Sequence, residues 1–268
     1  MKINEHINMA LKEDGYKKDI TTNLVPLINK CKAIIKIKEN SHVYGLKWLK
    51  QVFKQVDKKI KFKTYVNDGD YVNKNKIIID IYGTNHSILK GERVALNYLQ
   101  AMSGTYDLCK KFQKKVKDKN IKLLHTRKTL PLFRAPLIES CKAAGCNAHR
   151  ENLSSAVLIK ENHLKFMENP NDIIKQAIKN NKIVVVEAKT IKFAKTLDQL
   201  KIKRILLDNF TPAMLKKIVK YKLKSKLEVS GSVNLQNINN FAVKGVDYIS
   251  IGALTKNIES RDFSLLIV

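Results

Sequence analysis

The sequence predicts an α/β protein in which an α+β domain, residues 1–104, precedes a β/α barrel, residues 105–268, with the last residues packing back on the first domain. Three observations predict it. The first hundred or so residues mix helical and alternating periodicities without a repeating unit. From residue 120 onward, short apolar runs alternate with helical segments, the pattern of a parallel sheet with crossover helices. Each of those runs also ends in a polar or small residue, as at the rim where barrel enzymes build their sites.

In chain order, a helix is expected around Glu5–Leu11, an alternating strand over Lys32–Lys38, a helix over Leu46–Val56, and strands over Ile60–Val66 and Ile77–Tyr82. Between the last two, Asn67-Asp68-Gly69-Asp70 is a hairpin turn signal, because these residues tolerate the positive φ of tight turns. A long helix follows from Leu89 to Asp118, with Val94, Leu96, Leu99, Met102 and Leu108 apolar and Ser103-Gly104 a candidate break. Its lysine-rich end, Lys110–Lys119, reads as a solvated face. The barrel strands are then Ile121–Leu124, Ala156–Ile159, Ile183–Val186, Arg204–Leu207, Leu227–Val229 and Tyr248–Ile251. Asn169-Pro170 and Thr211-Pro212 mark helix starts, since a capping side chain precedes a proline whose missing N–H costs nothing there. Six such runs favour a closed or nearly closed barrel over a doubly wound sheet.

With 44% hydrophobic residues, 10 glycines and 5 prolines in 268, the composition excludes collagen-like and largely disordered chains. The 51 Lys and Arg against 24 Asp and Glu leave a net charge of +27, which puts nucleic acid among the partners to weigh. The lysines are dispersed, however, and the aromatics, 7%, are not interleaved with them. Any nucleic-acid binding is therefore expected to be non-specific and salt-sensitive. No run of about 18 apolar residues occurs and the first twelve residues carry no export pattern, so no membrane span and a cytoplasmic location are expected. Four cysteines fit that reducing compartment. Cys141, Cys146 and His149 lie close in sequence, but their spacing matches no usual zinc pattern, so they read as ordinary helix and loop positions.

The strand ends carry the chemistry: His125-Thr126-Arg127-Lys128, Lys160, Glu187, Asp208, Ser230-Gly231 and Gly252-Ala253. Arg127, Lys128, Arg150 and Lys160, with His149 beside them, form a cationic set, and arginine matches carboxylate or phosphate with paired N–H donors. Glu187 and Asp208 end successive strands, where they suit a divalent cation or a developing positive charge. Ser230-Gly231-Ser232 and Gly252-Ala253 come late in the barrel, where backbone N–H groups commonly bind phosphate. Together these describe an enzyme for a phosphorylated sugar, a metal and a carboxylated partner.

Longer strings then carry a resemblance. They are Gly91-Glu92-Arg93-Val94-Ala95-Leu96-Asn97, Thr126-Arg127-Lys128-Thr129-Leu130-Pro131, His149-Arg150, Leu158-Ile159-Lys160-Glu161-Asn162-His163, Leu206-Leu207-Asp208-Asn209-Phe210, Glu228-Val229-Ser230-Gly231 and Ser250-Ile251-Gly252-Ala253-Leu254-Thr255. In order and spacing they resemble the quinolinate phosphoribosyltransferases of NAD synthesis, and Glu13-Asp14 with Asp19-Ile20-Thr21-Thr22 extends the likeness to nearly the whole chain. The resemblance implies an α/β N-terminal domain, an incomplete β/α barrel, and a homodimer or higher oligomer in which one subunit's N-terminal domain covers the other's barrel mouth.

Residue by residue, it implies that Arg127, His149, Arg150 and Lys160 contact the carboxylates of quinolinate, with Thr126 and Lys128 completing the wall and Arg93 reaching in from the partner. Glu187 and Asp208 would face the ribose and the Mg²⁺ of phosphoribosyl pyrophosphate, a substrate also met by Lys128. Ser230, Gly231, Ser232, Ile251, Gly252 and Ala253 would hold that substrate, chiefly at its 5′-phosphate. Lys128, Lys160, Glu187 and Asp208 form the implied catalytic set. The chain departs from the family pattern at Ala144 to Asn152 around the His-Arg pair, at Lys189 where a second acid is usual, and at Thr105-Tyr106-Asp107 where small residues are usual. A paralogue on the same scaffold, such as the molybdenum-transport-associated homologues, would keep the phosphoribosyl site and take another acceptor. Retention of Arg93, Arg127, His149, Arg150 and Lys160 favours a dicarboxylate.

Overall fold

The computed structural model describes residues 2–180 and 183–268. In chain order the elements are α1 (Ile3–Glu13), β1 (Cys31–Ile37), β2 (Ser41–His42), α2 (Leu46–Val56), β3 (Lys61–Thr64), β4 (Tyr71–Val72), β5 (Ile77–Gly83) and α3 (Asn85–Val116). There follow β6 (Lys122–His125), α4 (Arg134–Ala143), β7 (Asn147–Ala148), β8 (Val157–Ile159), α5 (Glu161–Leu164), α6 (Pro170–Asn180), β9 (Val184–Ala188) and α7 (Ile191–Gln199). The chain ends with β10 (Arg204–Asp208), α8 (Pro212–Ile218), β11 (Lys226–Ser230), α9 (Ile238–Phe241), β12 (Tyr248–Ile251), α10 (Ala253–Lys256) and β13 (Phe263–Ile267).

The chain divides into two compact units. The first unit runs to Leu108 and also takes Leu132–Ala144 and Ile258–Val268, so α4 and β13 belong with it; the second is Cys109–Pro131 with Gly145–Asn257. Among the described residues no helix is long and apolar enough to cross a membrane.

In the first unit an antiparallel sheet of order β13-β1-β5-β3 is formed, with β2 and β4 paired separately. Alternation along β1 sends Ala33, Ile35 and Ile37 inward with Ile79 and Ile81 of β5, against Ile7 and Leu11 of α1 and Trp48, Leu49, Val52 and Phe53 of α2. The 67–70 turn does not close a tight hairpin between β3 and β5: it leads into β4, which pairs with β2, before the chain returns in β5. Its Asp68 instead accepts hydrogen bonds from the Gly45 and Leu46 N–H groups at 2.8 and 2.9 Å, capping α2.

Ser103-Gly104 is no break either, since α3 runs through it. Both residues serve packing. Ser103 Oγ accepts from the Tyr44 N–H and donates to the Tyr44 carbonyl, and a Cβ at Gly104 would stand 2.0 Å from the Glu259 carbonyl oxygen. The departing residues Thr105, Tyr106 and Asp107 are buried. Tyr106 stacks on Tyr44, while Asp107 binds His42 at 2.8 Å and Arg261 at 3.3 Å.

The second unit is a parallel sheet of order β7-β6-β12-β11-β10-β9-β8, one strand more than the sequence runs suggest. The extra strand, β7, is only two residues long and too short to show a period. Among the described residues β7 and β8 each pair on one side only, so the barrel is incomplete. Side chains alternate across the strands. Ile205 and Leu207, Val229, and Ile249 and Ile251 are wholly buried on one face. On the other, Leu158, Val185 and Leu206 form a small apolar layer. Two residues further along each of those strands stand Lys160, Glu187 and Asp208.

Candidate active site

That period of two brings the strand ends together around one cavity of about 290 Å³. Its lining includes Thr126, Arg127, Lys128, His149, Arg150, Lys160, Glu187, Asp208 and Ser230, all singled out by sequence, together with Leu158, Leu206 and Ser250. The loop bearing the first three is held by Thr255, a buried residue of α10, whose hydroxyl donates to the Lys128 carbonyl at 2.8 Å and lies 3.3 Å from that of Thr126. Thr126 Oγ1 in turn accepts from the Lys128 N–H at 3.2 Å.

The cations are crowded. Burial, and secondarily the neighbouring Arg127, lower the Arg150 guanidinium from its ordinary pKa. Lys160 Nζ lies 4.0 Å from Glu187 Oε2, so the cationic wall and the acids meet there. Burial first, and then Asp208, push the Glu187 carboxyl above the usual carboxylate range, with Lys160 and Lys189 opposing. Lys189 itself is paired with Glu161.

Glu187 and Asp208 both line the cavity and would offer two carboxylates to a divalent cation that arrives with a substrate. Among the described residues no cluster of three or more His, Cys, Asp or Glu could enclose a metal, so such an ion would draw its remaining ligands from substrate oxygens and water. That is the habit of Mg²⁺, which keeps much of its hydration and takes one or two protein carboxylates.

The expected phosphate turns border this cavity unequally. Gly231 follows Ser230 with φ 122°, and Ser232 has φ 46°. A Cβ at Gly252 would stand 3.4 Å from Lys128 Cδ and 3.9 Å from Thr126 Oγ1, so glycine there keeps the loop close to that wall. Ala253 opens α10. Ile251 is buried and alternates with the cavity-lining Ser250, which leaves it only its backbone to offer. Arg93 is exposed on α3 in the first unit and is not part of the cavity lining. Of Cys141, Cys146 and His149, the two cysteines are buried, and His149 is hydrogen-bonded to Glu228.

Sequence reasoning gave no role to four residues that hold this site. Asn209, in the left-handed region at φ 54°, donates from Nδ2 to Asp208 Oδ2 at 2.9 Å and from its backbone N–H to the Ser230 carbonyl at 2.8 Å. Thr255 fixes the cationic loop as described. Glu228 and Arg204 lie inside the barrel, where Glu228 Oε1 binds His149 Nδ1 at 2.6 Å and Arg204 Nε is 3.3 Å from Glu228 Oε2. The available signal was an acid inside the apolar run Leu227–Val229.

Comparison with known proteins places these features in context. Residues 19–103 match the model of the quinolinate phosphoribosyl transferase N-terminal domain, and residues 107–266 that of the C-terminal domain. The chain is 32% identical over 289 residues to the quinolinate phosphoribosyltransferase (decarboxylating) 2, mitochondrial, of Nicotiana glauca, covering 99% of this chain and 82% of that one. Among solved structures, the nicotinate-nucleotide pyrophosphorylase of Ehrlichia chaffeensis superposes with a TM-score of 0.93 at 36% identity, covering 100% of this chain and 99% of the other. That of Francisella tularensis gives 0.91 at 32% identity, with 99% and 97% covered.

Proposed function

The chain belongs to the quinolinate phosphoribosyltransferase family, and on that premise we propose that it transfers the phosphoribosyl group of phosphoribosyl pyrophosphate to quinolinate, yielding nicotinate mononucleotide, pyrophosphate and CO₂. The observation that carries the reading is one cavity lined by Arg127, Lys128, His149, Arg150 and Lys160 together with the acids Glu187 and Asp208. A dianionic acceptor and a donor that develops positive charge need this pairing of opposite groups.

The cationic wall binds the two carboxylates of quinolinate and orients the pyridine nitrogen toward the anomeric carbon. Glu187 and Asp208 would hold Mg²⁺, which when bound neutralises charge on the pyrophosphate. As pyrophosphate departs with its bonding electrons, the same acids stabilise the cationic sugar electrostatically. The nitrogen lone pair then forms the new C–N bond. The quaternary ring accepts the electron pair released as the adjacent carboxylate leaves as CO₂, and a proton takes its place on that carbon. Holding both reactants in line supplies much of the acceleration. The Ser230-Gly231-Ser232 and Gly252-Ala253 turns take the 5′-phosphate through backbone N–H groups.

The same reading makes the working unit a homodimer, or a higher oligomer built from it, in which Arg93 serves the partner's cavity. Arg93 is exposed, and the first unit also exposes Ile20, Leu24, Leu27 and Ile28, apolar side chains of one segment that an interface would cover. A cytoplasmic location accords with a composition of only four cysteines in 268 residues.

The test is turnover with quinolinate, phosphoribosyl pyrophosphate and Mg²⁺. CO₂ and pyrophosphate are expected in equal amounts. Pyrophosphate release with nicotinate and none with quinolinate would overturn the assignment in favour of a different acceptor.

A further inference from the structure

Glu228 lies in the middle of β11 with no exposed surface, inside the barrel and beneath the cationic wall. Its Oε1 accepts hydrogen bonds from His149 Nδ1 at 2.6 Å and from the Ser250 hydroxyl. Its Oε2 faces Arg204 Nε at 3.3 Å, an ion pair whose alignment is not that of a hydrogen bond. Arg204 Nη2 also donates to the His149 carbonyl at 2.9 Å, and the His149 N–H donates to the His125 carbonyl at 3.0 Å. Both the ring and the peptide of His149 are thus held, from β11, β10 and β6.

Stability alone is a poor reason for this arrangement. Burying a carboxylate and a guanidinium is expensive, and well-packed apolar residues often serve a core as well or better. A carboxylate that accepts from one imidazole nitrogen, on the other hand, sets the ring's tautomer and orientation. With Nδ1 occupied by Glu228, the nitrogen of His149 left for a ligand is Nε2.

We propose that Glu228 is a positioning residue for the acceptor end of the site, acting through His149, with Arg204 as its counter-charge. The proposal rests on the reading that His149 meets the acceptor's carboxylate. Glu228 does not touch substrate; it keeps a hydrogen on Nδ1 and turns Nε2 to the cavity.

Two measurements test it. Long-range ¹H–¹⁵N NMR, with His149 assigned by loss of its signal in His149→Ala, should show a hydrogen on Nδ1 in the wild type and a displaced Nδ1–H resonance in Glu228→Gln. In kinetics, Glu228→Gln should raise KM for quinolinate roughly tenfold, the low end of the effect of removing a carboxylate that orients a metal-bound histidine, with KM for phosphoribosyl pyrophosphate within about twofold. In a His149→Ala background the same substitution should add nothing further. Should Glu228→Gln not fold, the paired replacement Glu228→Leu with Arg204→Met removes both charges together and takes its place.

A hydrogen on Nε2 alone in the wild type, equal rises in both KM values, or an undiminished effect in the His149→Ala background would each overturn the proposal. If the wild type does not use quinolinate at all, the assignment of function fails instead. The NMR signature then still decides whether Glu228 sets the histidine.

Discussion

Gly231 and Asn209 stand so close that a methyl group at Gly231 would lie 2.2 Å from Asn209 Oδ1. Asn209 in turn binds Asp208, so the turn after β11 and the acid that ends β10 are mechanically one object. Gly231 also has φ 122°, a conformation that L side chains rarely adopt. Gly231→Ala must therefore push Asn209 aside and strain its own backbone. We expect kcat/KM for phosphoribosyl pyrophosphate to fall by about 100-fold or more, as for displacements near 1 Å at a reacting centre. A variant within a few-fold of wild type would show that this contact does not set the acid.

Glu187 yields a stability prediction with a definite sign. Burial and Asp208 raise its proton affinity in the folded chain. The stabilisation from holding that proton is present below the ordinary carboxylate range and is lost as pH rises through the raised folded value. Above that value the charged form is opposed by burial and by Asp208. Glu187→Gln should accordingly raise the thermal midpoint at pH 7 by about 2–4 °C, equivalent to roughly 1 kcal/mol, while turnover is lost. The difference should shrink towards pH 4, and scanning calorimetry at both pH values reads it directly.

Arg93 and Lys160 test the shared site. Each changed alone to Ala should lose activity, Arg93→Ala through a rise in KM for quinolinate of about 10- to 100-fold, the worth of a charge-assisted hydrogen bond. Mixed and allowed to exchange, the two variants form heterodimers in which one cavity carries both lesions and the other neither. Activity should return towards half of wild type per heterodimer. Exchange without recovery would place Arg93 in its own subunit's chemistry.

Gly104 makes a prediction about the first unit alone. With the Glu259 carbonyl 2.0 Å from where its Cβ would be, Gly104→Ala cannot fit without moving backbone. Overpacking of this kind costs about 1–3 kcal/mol. Urea unfolding should show a lower midpoint at an unchanged m-value, whereas without the Glu259 contact the same change inside α3 would stabilise by improving helix propensity.

The rim of the barrel was legible because strand periodicity and chemistry coincide there: Lys160, Glu187 and Asp208 each end an apolar run. The long helix was legible too, but its end points and continuity were not, since Gly104 is required by a neighbour more than a hundred residues away rather than by local conformation. Glu228 was hidden by its own neighbours, Leu227 and Val229, which make the strand look apolar; only closure of the sheet places it against His149 and Arg204.

By itself, then, the sequence determined the longer helices and strands, the parallel strand–helix repeat and the identity of the charged groups at strand ends, because these follow from periodicities spanning a few residues. Tertiary structure alone decided that α4 joins the first unit, that Asp68 caps α2 rather than turning a hairpin, and that a buried carboxylate meets the ring of His149. Those outcomes depend on contacts between residues distant in the chain, whose energies are set by which groups the fold removes from water together, and no local pattern encodes that pairing.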